Sequence, residues 1–170
     1  SWNETANWSR ESLPTENDYI VISANAKVDD KVEAKVKYMQ INEGVSLTVD
    51  NGGLLAVNDK IVNEDASSLI LNDGGQILQT NQDIPATYVM NVSAPTSWEA
   101  ENNTDGWQFI ALPMKDISVS VIDPIYFEYD LFKYDGSQDE QWVNFKNPEH
   151  SDLEQTFQQG SGYLASYEYN

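Results

Sequence analysis

The sequence predicts an all-β fold. A short right-handed parallel β-helix (solenoid) is expected over residues 1–92, followed by a small antiparallel β-sandwich-like module over residues 93–170. Three observations carry this expectation. Helical periodicity is almost missing, while short β-branched and aromatic runs punctuated by Gly, Asn and Asp are everywhere. One pattern recurs four times in the first half. A polar, proline-containing stretch then separates that repeat from an aromatic-rich second half.

The recurring pattern is two apolar residues at alternate positions, a polar turn whose third member is Asn or Gly, and a further apolar residue six positions after the second. It occurs as Ile20, Ile22, Ser23-Ala24-Asn25 and Val28, then as Met39, Ile41, Asn42-Glu43-Gly44 and Leu47. It returns as Leu47, Val49, Asp50-Asn51-Gly52 and Leu55, and again as Leu69, Leu71, Asn72-Asp73-Gly74 and Ile77. Alternate strand residues share a face, so each apolar pair points one way. Gly, and at greater cost Asn, supplies the left-handed backbone of a sharp corner. Units begin 19 residues apart (20 to 39) and 22 apart (47 to 69), the length of one solenoid coil. An antiparallel hairpin meander would show the same alternation. The three-residue strands after N-E-G and D-N-G are short for free-standing hairpins, which favours the solenoid. Trp2 and Trp8 are placed to cap its open end.

The boundary is read at Ser93 to Asp105, SAPTSWEAENNTD. Beyond it lie five candidate strands: Trp107 to Leu112, Ile117 to Ile122, Tyr126 to Tyr134, Trp142 to Phe145 and Tyr163 to Tyr167. Asp152 to Gln158 is read as a short helical turn, and Trp107 and Trp142 as filling for the sandwich core.

Composition excludes several functions. The 170 residues hold 28 acidic against 9 basic side chains, a net charge of −19, with one histidine and no cysteine. Such a chain repels phosphate backbones and anionic headgroups, so neither nucleic acid nor membrane insertion is expected. Thiol catalysis, cysteine zinc sites and disulfides are ruled out, and a histidine triad would hang on His150 alone. Residues 1–92 carry 14 acids and 6 bases, residues 93–170 carry 14 acids and 3 bases. There is no transmembrane stretch and no signal-peptide pattern at the first residues, so the sequence reads as a mature or excised piece. High acidity and abundant Tyr, Trp and Asn lean towards an exported protein.

Three kinds of chemistry are weighed on these residues. Asp135-Gly136-Ser137-Gln138-Asp139-Glu140 sets oxygens at alternate positions, as a calcium loop does, with Asp135, Ser137, Asp139 and Glu140 as ligands. A solvated hairpin turn is the competing reading, and no other cofactor is indicated. Polysaccharide cleavage would need two carboxyl groups across a cleft, one with a raised pKa, and no such pair is marked among the 28 acids. Binding through aromatics is the third, since 19 residues are Trp, Tyr or Phe. Trp98 in the polar linker and Tyr167 and Tyr169 near the end are the rings expected at the surface.

The order of motifs is familiar. A W-N-x-x-x-N-W-S opening (Trp2 to Ser9) precedes Leu13-Pro14 and short coils with N-x-G corners. Trp107, Phe109, Ile110 and Pro113 then lead to Tyr-Asp-Leu-Phe-x-Tyr-Asp (Tyr129 to Asp135), Trp142 to Asn144, Phe157, and a Gly-x-Gly-Tyr-Leu strand (Gly160 to Leu164). This resembles the short β-helix and following module of large exported, adhesin-like cell-surface proteins of Bacteroidetes, over nearly the whole chain. In such proteins further strands follow the Gly-Tyr-Leu strand, whereas this sequence stops at Asn170, so a fragment of a longer chain is expected. The resemblance implies a cell-surface or extracellular setting, other domains on the same polypeptide, and no catalytic residues. The expected function is therefore a non-enzymatic structural or adhesion segment with an unidentified protein or glycan partner. A carbohydrate-binding module that uses exposed aromatics and is stabilised by calcium is the alternative, and a polysaccharide-active enzyme comes third.

Overall fold

The structure, a computed structural model, describes residues 1–92, 107–113, 116–119, 129–139, 141–145 and 156–167. It is all-β, a parallel β-solenoid followed by antiparallel sheets. The chain divides into two compact units, Ser1–Asn91 and Val92–Asn170.

In the first unit, β1 (Tyr19–Ile22), β3 (Glu33–Ile41), β5 (Leu54–Val62) and β7 (Gln76–Gln79) form one parallel sheet. The second contains β2 (Ala26–Val28), β4 (Leu47–Val49), β6 (Leu69–Leu71) and β8 (Thr87–Tyr88). The chain alternates between the sheets, one strand of each per coil. Ile20 pairs in register with Met39, and Leu47 with Leu69, so the 19- and 22-residue spacings are single turns of the solenoid. Inward residues stack in rows through the coils: Ile20, Met39 and Ile61; Ala34, Leu55 and Ile77; Ala26, Leu47 and Leu69; Val28, Val49 and Leu71. Most of these side chains are buried, and each buried Val, Leu, Ile or Met contributes about 1.5–3 kcal/mol.

The fourfold pattern resolves into two different corners. Residues 23–25 and 42–44 lead from the first sheet to the second, while 50–52 and 72–74 lead back. A third bend lies within the long strands. The β3–β5 register shifts between Val36 and Tyr38, where Asn58 and Asp59 on β5 face the single residue Lys37, and such a bulge bends a strand. In the last coil Asn81 takes over the pairing that a continued strand would give. Its Oδ1 accepts the Ile61 N–H at 3.0 Å and its Nδ2 donates to the Ile61 carbonyl at 3.2 Å.

The return corners stack rung on rung. Lys31, Gly52 and Gly74 occupy one rung with φ of 61°, 77° and 80°, and the Lys31 N–H donates to Gly52 and the Gly52 N–H to Gly74. Lysine is the residue with a Cβ penalty there, and its ion pair with Asp30 is exposed and contributes little. Lys31→Gly is expected to raise stability by about 0.5–1 kcal/mol, read as a higher urea midpoint at unchanged slope. An unchanged or lowered midpoint contradicts the shared rung.

Asp50 clips three coils together. Its carboxylate meets the Lys27 amine of the preceding coil and accepts from Asn72 Nδ2 of the next at 2.9 Å. The Lys27 hydrogen bond, followed by that from Asn72, holds the Asp50 carboxyl below the usual carboxylate range. A depressed folded-state pKa gives stability that is present above the unfolded value and lost as pH falls through the folded one. The stability difference between the wild type and Asp50→Asn is therefore expected to be steady near neutrality and to shrink below pH 3.8. Urea midpoints measured across the acid range check this, and a difference independent of pH contradicts the clip.

The N-terminal segment closes the first coil. Trp2 is 2% exposed, its N–H donates to the Lys27 carbonyl at 2.8 Å, and its ring meets Trp8 edge-on at 4.9 Å.

In the second unit, β9 (Gln108–Ile110), β11 (Tyr129–Tyr134), β12 (Trp142–Asn144) and β14 (Tyr163–Tyr167) form an antiparallel sheet in the order β12-β11-β14-β9. A two-stranded sheet pairs β10 (Ile117–Ser118) with β13 (Thr156–Phe157). Thr156 and Phe157 are strand where the sequence suggested a helical turn. Phe157 is buried edge-on against Tyr163 at 4.8 Å, and the demand for that packing selects an extended backbone.

Candidate functional site

Strand parity decides which face of the β12-β11-β14-β9 sheet is wet. Leu131, Val143, Ala165, Ile110 and Tyr163 are buried on one side. Their neighbours Phe109, Phe132, Tyr134, Trp142 and Leu164 therefore project from the other. Register places Phe109 beside Leu164, Leu164 beside Phe132, and Trp142 beside Tyr134. Phe109 is 79% exposed, Tyr134 51% and Trp142 39%.

These rings form one surface. Phe109 and Trp142 stand on the outermost strands, yet their centroids are 6.2 Å apart, and Tyr134 meets Trp142 at 5.4 Å. Trp107 is half-buried and packs edge-on against Phe132 at 5.5 Å. Polar groups border the surface. Asn144 Nδ2 donates to Asp130 Oδ1 at 3.1 Å, and the Tyr134 hydroxyl lies 3.5 Å from Gln141 Oε1. Trp142 and Trp107 thus do not fill the core as expected. Val143 takes the inward position next to Trp142, and Tyr163, Phe157 and Phe145 supply the buried rings.

Of the residues proposed from sequence for binding, Trp98 and Tyr169 lie outside the described residues, and Tyr167 ends β14 as the register partner of Tyr129. Asp135, Ser137 and Asp139 sit in the turn between β11 and β12, next to the aromatic surface, while Glu140 lies outside the described residues, as does His150. Asp135 Oδ1 accepts from the Ser137 hydroxyl at 2.6 Å and the Ser137 N–H at 3.0 Å. Those two bonds hold its carboxyl below the usual range and give it the role of a turn-forming side chain. Among the described residues, no group of three or more His, Cys, Asp or Glu is gathered as a metal site.

A cleft of about 480 Å³ on the solenoid is lined by Glu43, Glu64 and Asp65 together with Asn63. Asp65 accepts the Ser67 N–H at 2.7 Å, which holds its carboxyl below the usual range, opposite to the shift a general acid needs. Asn63, only 9% exposed, takes the inward place that Ile41 fills one coil earlier, and donates to the Pro85 carbonyl at 2.6 Å.

Sequence reading missed Phe109, Tyr134 and Trp142 as a surface. The signal was present as alternation through Tyr129–Tyr134 and Trp142–Asn144, but aromatic size suggested burial and the phase of the alternation was unset. It also missed Tyr19 and Tyr38, whose 19-residue separation equals that of Ile20 and Met39.

The chain belongs to the family described as "Domain of unknown function (DUF8693)", whose model matches residues 1–170, both units together. No curated protein and no solved structure matches it. Among the described residues no helix is long and apolar enough to cross a membrane.

Proposed function

We propose that this chain is a non-enzymatic, adhesion-type binding and scaffold segment of a larger exported cell-surface protein. The observation that carries the reading is the exposed ring surface of Phe109, Tyr134 and Trp142. Leaving three such side chains in water forgoes burial worth about 1.5–3 kcal/mol for each large apolar group, and contiguous exposed apolar surface marks a contact site. The downward-shifted carboxyls of Asp18, Asp50, Asp65 and Asp135, each held by hydrogen bonds from its own chain, support a structural use of these acids. Resemblance to adhesin-like surface proteins supports the setting.

The same surface favours a carbohydrate as the partner. Flat rings stack on sugar faces, and Asp130, Gln141 and Asn144 at the rim offer hydrogen bonds to hydroxyls. The test uses intact cells displaying the parent protein, with the native chain or with Phe109→Ser and Trp142→Ser together. Native cells are expected to be retained on immobilised glycans or matrix proteins and the variant cells to wash off, with equal antibody staining of both. Equal retention of both overturns the assignment of the surface, and staining that appears only after lysis overturns the exported setting.

A further inference from the structure

The outer face of the solenoid carries a second arrangement, independent of the aromatic surface in the other unit. Tyr19, Tyr38 and Lys60 are successive register partners on β1, β3 and β5. Their inward neighbours are Ile20, Met39 and Ile61, so all three point outward, a strand spacing of about 4.8 Å apart. The Tyr19 and Tyr38 rings stack at 5.8 Å with planes 27° apart, and Tyr19 is 63% exposed. The Lys37 amine stands 5.3 Å from the centre of the Tyr19 ring. A cleft of about 920 Å³ opens beside Tyr19, walled by the N-terminal segment at Trp8 and Leu13.

Charge distinguishes this row from the rest of the solenoid. Residues 1–92 contain six cations among 14 acids. Arg10, Lys27, Lys31 and Lys35 are paired with Asp18, Asp50, Asp30 and Glu33. Among the described residues, Lys37 and Lys60 have no carboxylate within the 4.0 Å of an ion pair, and these two flank the stacked tyrosines. The Tyr19 hydroxyl beside the Lys37 amine raises its pKa, with a smaller contribution from Asp59. In a chain with this excess of acid, two ammonium groups without a carboxylate in ion-pair range stand beside the stacked tyrosines, of which Tyr19 is exposed.

We propose that Tyr19, Tyr38, Lys37 and Lys60 form a binding site for an acidic sugar, in which a pyranose face lies on the exposed tyrosine and its carboxylate or sulfate meets the two ammonium groups. Stacking and charge pairing select different features of such a ligand, so it binds better than a neutral sugar or an acidic peptide.

Titration calorimetry of the whole chain at low salt tests this with four probes: an oligogalacturonate, a chondroitin sulfate tetrasaccharide, cellotetraose and a poly-glutamate peptide. The expected result is binding of one or both acidic sugars, with the carboxylate and sulfate arms telling which anion is preferred. Lys37→Gln with Lys60→Gln is expected to weaken it at least about ten-fold, as is Tyr19→Ala, with melting temperatures recorded for both. The lysine variants keep the test valid should Tyr19→Ala unfold. Phe109→Ser with Trp142→Ser is expected to leave it unchanged, which separates this site from the surface proposed above. The site is overturned by silence of both acidic sugars, by equal binding of cellotetraose or poly-glutamate, or by undiminished binding in the double lysine variant.

Discussion

Trp2→Ala is expected to lower the stability of the solenoid by about 4 kcal/mol, the middle of the range for truncating a buried large ring. The indole is 2% exposed and belongs to the same buried cluster as Ile20, Val28 and Leu47. It also organises its own surroundings, since the Trp2 carbonyl accepts the Trp8 indole N–H at 2.9 Å and the Trp2 N–H continues the pairing at Lys27. A coil stack has an exposed first rung, and a terminal cap prevents that rung from pairing with another chain. Loss of the cap should therefore appear twice, as a lower urea midpoint and as concentration-dependent association in sedimentation. Trp8→Phe keeps a ring and removes the N–H, so about 1 kcal/mol is expected from it. Equal effects of the two substitutions contradict the capping role of Trp2.

Gly75→Ala is expected to cost about 3 kcal/mol through overpacking, with Gly53→Ala close behind. A Cβ at residue 75 would lie 2.5 Å from the Val49 carbonyl oxygen and 2.9 Å from that of Asn72, and at residue 53 it would lie 2.8 Å from the Val28 oxygen. All are backbone atoms, those of Val28 and Val49 in the coil below and that of Asn72 in the same hydrogen-bonded corner, so neither corner can yield without moving a rung. Val32 occupies the corresponding place in the coil of β2 and β3, below which the described residues form no further corner to supply those carbonyls. Gly44 is the natural control. Its φ is +73° but nothing lies within 4 Å of its would-be Cβ, so Gly44→Ala should cost only the backbone penalty of about 1 kcal/mol. Chemical denaturation of the three variants side by side gives the comparison, and a Gly75 variant no worse than the Gly44 one contradicts the tight stacking of the corners.

Much of the solenoid was legible because its determinants are local. Apolar alternation fixes which side chains face inward, and Gly or Asn after each apolar pair marks a corner. The repeat spacing of Ile20 to Met39 and of Leu47 to Leu69 then equals the register. What stayed hidden depends on neighbours in space. The four turns look alike in sequence but serve two opposite corners, and the bend at Lys37 arises from one extra residue on β5 that no single strand reveals. Asn63 is polar, yet stands where the earlier coils place Ile22 and Ile41. In the second unit the strands other than Thr156–Phe157 were visible, but not the phase of their burial. That phase turned Trp142 outward and gave the core to Tyr163 and Phe157. The outward row of Tyr19, Tyr38 and Lys60 was likewise invisible without the register, since its members are ordinary polar-face residues taken one at a time.

On the proposed function, this chain holds a partner through outward-facing rings and does not transform it. The most direct measurement is a broad glycan array, with each positive ligand then incubated with the chain for a day and weighed by mass spectrometry. At least one ligand is expected to be retained, to be lost on substituting Phe109 and Trp142 or Tyr19, and to be recovered at unchanged mass. A ligand recovered cleaved or otherwise altered, or an array without a single hit, would contradict it.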